Sequence, residues 1–121
     1  MFSIMLKSKI NNATVTGVEM EYEGSLAIDS DLMQTVKLRP FEKILVANLA
    51  NGERFETYAI PAPPGSGTIC LNGAAAHLGA VGDRVIILAF AGVSPEEIES
   101  HRPLILVLGR ENKPAQGLRE V

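Results

Sequence analysis

The chain has 121 residues, a mass of 13.0 kDa and a formal charge of −3 at pH 7. This length suits a single domain, residues 1–121, which is large enough to bury an apolar core without disulfide bonds. Because the pI is near 5.3 and the Lys and Arg residues are scattered along the chain, we expect no nucleic-acid partner.

The first elements are predicted to be strands. Residues 2–6 are short and apolar, and they lack the basic segment and long apolar run of an export signal. Residues 13–22 are rich in β-branched side chains and alternate in part. Gly24-Ser25 then predicts a turn, since glycine tolerates positive φ and serine favours turns.

A short helix and a hairpin are predicted next. Asp29 or Ser30 can cap a helix over residues 31–36, which Pro40 keeps short. Residues 43–49 and 54–60 follow as strands, and Asn51-Gly52 between them predicts a type I′ turn. On a regular second strand, Thr57 and Tyr58 would point to opposite faces.

The second half adds strands joined by loops and helical turns. Residues 61–67 are rich in Pro and Gly and predict an exposed loop, and residues 68–71 predict a strand that carries Cys70 as a buried thiol. Asn72 can cap a helical turn over residues 73–78. The apolar run 85–93 predicts a buried strand, well short of the roughly 20 residues that span a membrane as a helix. We therefore expect no membrane partner, and the absent export signal together with a single cysteine, which suits a reducing compartment, predicts a cytoplasmic protein.

The C-terminal part completes a mainly β fold. Ser94-Pro95-Glu96-Glu97 predicts a capped helix to about residue 100, residues 104–108 a last strand, and residues 110–121 a flexible tail. The sum is six to eight short strands with three small helices, which favours a closed or partly closed barrel.

The residues themselves allow one unusual chemistry. His77 and His101 are isolated, so no metal site is predicted, and no serine triad or phosphate loop is evident. The Ser25 hydroxyl, however, lies next to the Gly24 carbonyl carbon, and an N-to-O acyl shift there followed by elimination and hydrolysis would leave an N-terminal pyruvoyl group and ammonia. Such a ketone can form a Schiff base with an amino acid and accept electrons as it loses CO2. The alternative is an ordinary turn.

Three segments resemble the aspartate 1-decarboxylase family: Tyr22-Glu23-Gly24-Ser25, residues 51–60 (NGERFETYAI) and residues 71–77 (LNGAAAH). The resemblance implies a proenzyme that cleaves itself at Gly24-Ser25 into a β chain, 1–24, and an α chain, 25–121, with Ser25 converted to a pyruvoyl cofactor. It also implies a six-stranded double-psi β-barrel with a few short helices. The implied enzyme is a homotetramer with active sites between subunits, converting L-aspartate to β-alanine for pantothenate and coenzyme A synthesis.

The resemblance also assigns roles, and each has a plainer alternative. Thr57 assists the acyl shift and contacts substrate, and Tyr58 donates a proton after CO2 leaves; the alternative is two ordinary strand residues. Arg54 and Lys9 bind substrate carboxylates, against solvated surface charges. The remaining residues placed at the substrate are Tyr22, Asn72, Gly73, Ala74 and Ala75, against a plain helix start capped by Asn72.

Two departures and two rival functions remain. Many relatives have histidine where this chain has Asn11, which cannot titrate, and an aromatic residue where it has Ala47. One rival is a structural or ligand-binding barrel in which Gly24-Ser25 stays intact. The other is a pyruvoyl enzyme that acts on another small amino acid.

Overall fold

Nine strands and four short helical segments make up the computed structural model, which describes residues 1–121. The prediction of a mainly β fold is confirmed. The strands are β1 (Ser3–Thr14), β2 (Gly17–Glu19), β3 (Ser25–Asp29), β4 (Lys43–Asn48), β5 (Arg54–Ala62), β6 (Ile69–Asn72), β7 (Arg84–Val93), β8 (Leu104–Val107) and β9 (Arg119–Glu120). The helical segments are α1 (Ser30–Thr35), α2 (Pro95–Ile98) and the 3-10 helices Gly73–His77 and Arg110–Asn112.

The strands form one mixed sheet in the order β2-β6-β3-β5-β4-β7-β1-β8-β9. Three neighbouring pairs are parallel, namely β1 with β8, β2 with β6 and β3 with β5, and the rest are antiparallel. The arrangement is consistent with the double-psi barrel that the family resemblance implied. The structure has nine strands rather than six, and two of them, β2 and β9, are only three and two residues long.

The apolar core lies on one face of the sheet. Every second residue of a strand points its side chain to that face. On β7, for example, Val85, Ile87 and Ala89 are buried while the residues between them are more exposed. This two-residue period is that of a pleated strand, whereas the sequence predicts β7 from its continuous apolar run. On β3, Leu26 and Ile28 belong to the core, so strand alternation directs the Ser25 side chain to the opposite face, where it is also buried.

β1 is longer than predicted, and the predicted strand 13–22 is interrupted: residues 13–14 belong to β1, residues 17–19 form β2, and residues 15–16 and 20–22 are not in a strand. β1 continues past residue 6 because two bulges against β7 absorb its irregular pattern, one between Leu6 and Ser8 and one between Ile10 and Ala13. Asn12, at the second bulge, has a φ of 63°. After Thr14 only Gly17–Glu19 is a strand, and the chain then turns toward Ser25.

The β4–β5 hairpin is present, but the predicted type I′ turn is wrong. The connection spans residues 49–53, and only Gly52 has a positive φ, of 76°. The Asn48 side chain accepts from the Ala50 N–H at 2.8 Å and the Asn51 side chain from the Glu53 N–H at 2.9 Å. These side-chain bonds stabilise a wider turn than the two-residue one.

The α-helices α1 and α2 match their predicted capping signals. Asp29 caps α1 by accepting from the Asp31 N–H at 2.9 Å, and Ser94 and Glu97 form the predicted capping box of α2. α2 ends at Ile98 rather than at residue 100. No helix is long and apolar enough to cross a membrane.

The end of the chain carries one buried anchor. Asn112 is 1% exposed and donates to the Thr14 and Gly67 carbonyls, both at 2.8 Å. Residues 119–120 pair with β8 as β9. Whether residues 110–121 are loosely held in solution stays a prediction.

Candidate active site

Ser25 is the first residue of β3 and one of the most buried polar residues, with 2% of its surface exposed. In the antiparallel pair of β3 and β6 it lies directly opposite Asn72. The Asn72 Nδ2 donates to the Ser25 Oγ at 3.0 Å, and the Ser25 Oγ lies 3.5 Å from the Glu23 carbonyl oxygen. Ser25 is therefore held in place by a donor on the neighbouring strand.

Asn72 does not act as a helix cap. It precedes the 3-10 helix Gly73–His77, but its side chain makes no capping hydrogen bond. The prediction that it caps this helix is wrong, because the amide is used across the sheet on Ser25 instead. Asn72 is 2% exposed, so a polar side chain there needs such a partner.

Gly73 brings the helical turn directly against the Gly24-Ser25 segment. Its φ is +65°, a conformation that favours glycine. A Cβ atom at this position would lie 2.7 Å from the Gly24 Cα and N atoms and 2.9 Å from the Tyr22 carbonyl oxygen. Only a residue without a side chain fits, so the backbone of residues 22–24 rests on residue 73.

A cavity of 340 Å³ opens beside Gly24. It lies beside the part of β5 that β3 does not pair with. The β3–β5 ladder starts only at Leu26 and Ala59, so the earlier residues of β5 have a free edge on that side. Continuing that register back by two residues sets Gly24 opposite Thr57. The lining residues are Gly24, Phe55, Glu56, Thr57, Tyr58, Ala74, Ala75 and Leu78.

The free strand edge explains why both predicted β5 residues reach one cavity. Alternation places Thr57 and Tyr58 on opposite faces, yet both line the cavity because it runs along the edge of the strand. Tyr58 is half-buried, and its ring lies 6.2 Å from that of Phe41, centroid to centroid. The Ser25 hydroxyl is hydrogen-bonded to the Asn72 side chain and the Glu23 carbonyl, and not to Thr57.

Lys9 and Arg54 are not part of this cavity. Lys9 lies on β1 opposite Leu88, and Arg54 lies on β5 opposite Ala47, which in turn lies opposite Ile86 on β7. Both cations are thus on the outer face of the β1-β7-β4-β5 part of the sheet, with Arg54 exposed and Lys9 half-buried. Tyr22 is 65% exposed, next to the Gly24 segment.

Several neighbours of the site were missed from the sequence. Phe55, Glu56 and Leu78 line the cavity. The sequence offers one indication for Phe55 and Glu56, which directly precede Thr57 in the chain. The Cys70 Sγ lies 3.4 Å from the Asn72 Oδ1, and Cys70 is half-buried rather than buried. Burial, and then the negative charge of Glu19, raise the pKa of the Cys70 thiol above its ordinary value. This thiol is therefore protonated at neutral pH.

Comparison with known proteins agrees with this geometry. A family model described as aspartate decarboxylase matches residues 1–115. The chain belongs to the aspartate decarboxylase family. It is 50% identical over 117 residues to the aspartate 1-decarboxylase of Syntrophobacter fumaroxidans, covering 96% of this chain and 94% of that protein. It is 53% identical over 113 residues to that of Coprothermobacter proteolyticus, covering 93% and 92%.

Membership of the aspartate decarboxylase family is consistent with a pyruvoyl cofactor. The residues around Ser25 would fit such a group. A small carbonyl group at position 25 needs a hydrogen-bond donor and room for close backbone approach. Asn72 provides a buried donor aimed at the Ser25 side chain, and Gly73 provides a contact that a Cβ atom would fill. Ala74 and Ala75 line the cavity with small side chains, which leaves room for a bound group.

Asn11 and Ala47, the two positions expected to differ from many relatives, are not among the groups that surround Ser25. The carbonyl oxygen of Asn11 accepts from the Leu108 N–H at 3.0 Å, so its backbone joins β1 to the end of β8. Ala47 is the cross-strand neighbour of Arg54. Neither residue contacts Ser25, Gly24 or Asn72 in the structure's hydrogen bonds or cavity lining.

Proposed function

We propose that this chain is the precursor of a pyruvoyl-dependent aspartate 1-decarboxylase, which converts L-aspartate to β-alanine and CO2 in the cytoplasm. The observation that carries the proposal is the buried Ser25 hydroxyl, which accepts from Asn72 and directly follows a glycine whose neighbours leave an open cavity. Family membership supports the reaction, and the geometry supports the bond at which the precursor is cut.

Self-processing is the first step of the proposed function. Attack of the Ser25 Oγ on the Gly24 carbonyl carbon breaks the Gly24–Ser25 amide and moves the acyl group to oxygen. As the carbonyl becomes tetrahedral its oxygen gains negative charge, which a nearby hydroxyl donor stabilises. Thr57 lies beside Gly24 in the cavity lining and supplies that hydroxyl. Glycine at position 24 leaves the attack unhindered.

Replacing Thr57 with valine should slow self-cleavage by about 10²- to 10³-fold, the cost of removing one oxyanion donor. Valine keeps the shape and loses the hydroxyl. The rate is measured from the intact mass of the purified precursor over time. Thr14→Val is the matched control, since Thr14 is a half-buried strand threonine outside the cavity. Equal rates for the two variants would remove Thr57 from the mechanism.

The mature site then needs an electron acceptor, a proton donor and anion-binding groups. A pyruvoyl group formed from Ser25 would supply a ketone for condensation with the substrate amine and an acceptor for the electron pair released with CO2. Tyr58, whose side chain borders the same cavity as Gly24, donates the proton that completes the product. Asn72 and the residues Gly73, Ala74 and Ala75 hold the substrate close to position 25.

Tyr58→Phe should cleave normally and lose decarboxylase activity by about 10²- to 10⁴-fold, the usual contribution of a general acid. The ring and its contact with Phe41 remain, so folding is preserved. β-Alanine formation is measured on fully cleaved protein. A cleaved variant with wild-type turnover would transfer the proton donation to another group.

Substrate carboxylates require cations that the cavity of one chain does not contain. Arg54 is suited to bind one carboxylate through its planar guanidinium, and Lys9 adds a second positive charge. Two cations favour a dicarboxylic acid. Tyr22 is 65% exposed and lies beside the cleavage point, where it is suited to contact substrate.

A homotetramer with active sites between subunits would bring these cations to the cavity of a neighbour. Neither Lys9 nor Arg54 lines the cavity beside Gly24 in the same chain. A groove of 550 Å³ on the protein surface also exposes Phe2, Ile4 and Phe90, with exposed fractions of 65%, 73% and 41%. Burial of these side chains against a second copy would favour assembly. Sedimentation of the processed protein gives the subunit number.

Mass spectrometry followed by product analysis tests the function. Purified protein, incubated warm, should yield fragments 1–24 and 25–121, the second lighter by one ammonia than a serine-started chain. L-Aspartate should then give β-alanine, with glutamate and cysteate as competing substrates. A chain that stays intact supports the structural barrel instead, and a cleaved chain that acts on another amino acid supports a different pyruvoyl enzyme.

A further inference from the structure

Cys70 belongs to a hydrogen-bonded chain that ends on Ser25. Cys70 and Asn72 are two residues apart on β6, so their side chains share one face of the strand. The Cys70 Sγ lies 3.4 Å from the Asn72 Oδ1, and the Asn72 Nδ2 lies 3.0 Å from the Ser25 Oγ. Gly17, opposite Cys70 on β2, leaves room for the sulfur, since a Cβ atom there would lie 3.3 Å from it.

We propose that Cys70 is a positioning residue for self-processing: its thiol donates to the Asn72 Oδ1 and thereby fixes the Asn72 amide with its Nδ2 toward Ser25. This inference rests on the proposed role of Ser25 as the nucleophile. It extends the site to a residue that does not itself reach the Gly24–Ser25 bond.

The orientation of the Asn72 amide decides what the Ser25 hydroxyl can do. An asparagine side chain offers a donor at one end and an acceptor at the other. With Nδ2 toward Ser25, the amide donates to Oγ, stabilises negative charge that develops there and leaves the hydroxyl proton free to depart. With Oδ1 toward Ser25, the amide would accept that proton in a hydrogen bond and direct the hydroxyl away from the Gly24 carbonyl.

The thiol selects the first orientation because it is a donor. Asn72 is 2% exposed, so water does not compete for its Oδ1. Burial and the charge of Glu19 raise the pKa of Cys70, which keeps the S–H proton in place at neutral pH. In the reversed orientation the amide NH2 would face the sulfur, where it could not accept the S–H and could donate only to a weak sulfur acceptor.

Cys70→Ala and Cys70→Ser separate this role from simple packing. Alanine removes the donor and should slow self-cleavage about 3- to 10-fold, the effect of one neutral hydrogen bond. Serine retains a donor and should restore most of the wild-type rate. Cleavage at the wild-type rate in Cys70→Ala, or a Cys70→Ser variant as slow as Cys70→Ala, would overturn the proposal.

A second readout does not depend on cleavage. In the ¹H–¹⁵N spectrum of intact full-length protein, the Asn72 side-chain NH2 signals should shift in Cys70→Ala and return toward wild-type positions in Cys70→Ser. If the wild-type chain never cleaves, the proposed function fails, and these signals alone decide whether Cys70 orients Asn72. Unchanged Asn72 signals in Cys70→Ala would then overturn the positioning role.

Discussion

Replacing Ser25 with alanine is expected to abolish self-cleavage and β-alanine formation together. The variant has no hydroxyl to attack the Gly24 carbonyl, and no ketone can form at position 25. Intact mass should therefore show one chain of 121 residues after prolonged warm incubation, with β-alanine at background. Because the Asn72 Nδ2 also loses its buried acceptor, the free energy of unfolding should fall by about 1–3 kcal/mol.

Ser8→Ala is the matched control for this result. Ser8 and Ser25 have the same exposed fraction, 2%, and the change in chemistry is identical, but Ser8 lies on β1 away from the cavity. Ser8→Ala should cleave and decarboxylate like the wild type. Steady β-alanine production by pure, intact Ser25→Ala protein would refute the proposed cofactor.

The strands could be predicted where the side-chain pattern is local. β7 and β4 are short, mostly apolar runs, so the local composition is enough to predict them as strands. β1 was divided because its two bulges exist only through its pairing with β7. The β4–β5 turn was misjudged because Asn48 is tied to distant groups, donating to the Leu78 carbonyl at 3.1 Å and to Asp83 at 2.9 Å.

The site divides in the same way. Motif resemblance selected Ser25, Thr57 and Asn72, but the bond from Asn72 to Ser25 depends on the register of β3 against β6, which no local pattern encodes. The shared cavity of Thr57 and Tyr58 depends on where the β3–β5 ladder begins. The apolar neighbours of Cys70 predict a buried thiol, but they do not predict its contact with Asn72 two residues away.

Gly73→Ala is expected to disrupt the cleavage site from the opposite side. The new Cβ atom would lie 2.7 Å from the backbone of Gly24 and 2.9 Å from the Tyr22 carbonyl oxygen, so residues 22–24 must move. The left-handed φ of +65° adds about 1–2 kcal/mol of strain, and the forced packing about 1–3 kcal/mol more. We expect a lower free energy of unfolding in denaturant and much slower cleavage, followed by intact mass.

Gly52→Ala separates backbone strain from collision. Gly52 has a similar φ, +76°, but a Cβ atom there would meet nothing within 4 Å. The free energy of unfolding of this variant should fall only by the backbone strain, about 1–2 kcal/mol, and the variant should cleave at the wild-type rate. If Gly73→Ala were no less stable than Gly52→Ala and cleaved equally fast, the contact between residues 73 and 24 would have no part in positioning the bond. A selective loss of cleavage in Gly73→Ala would instead mean that the 3-10 helix is the surface on which the Gly24 carbonyl is presented to Ser25.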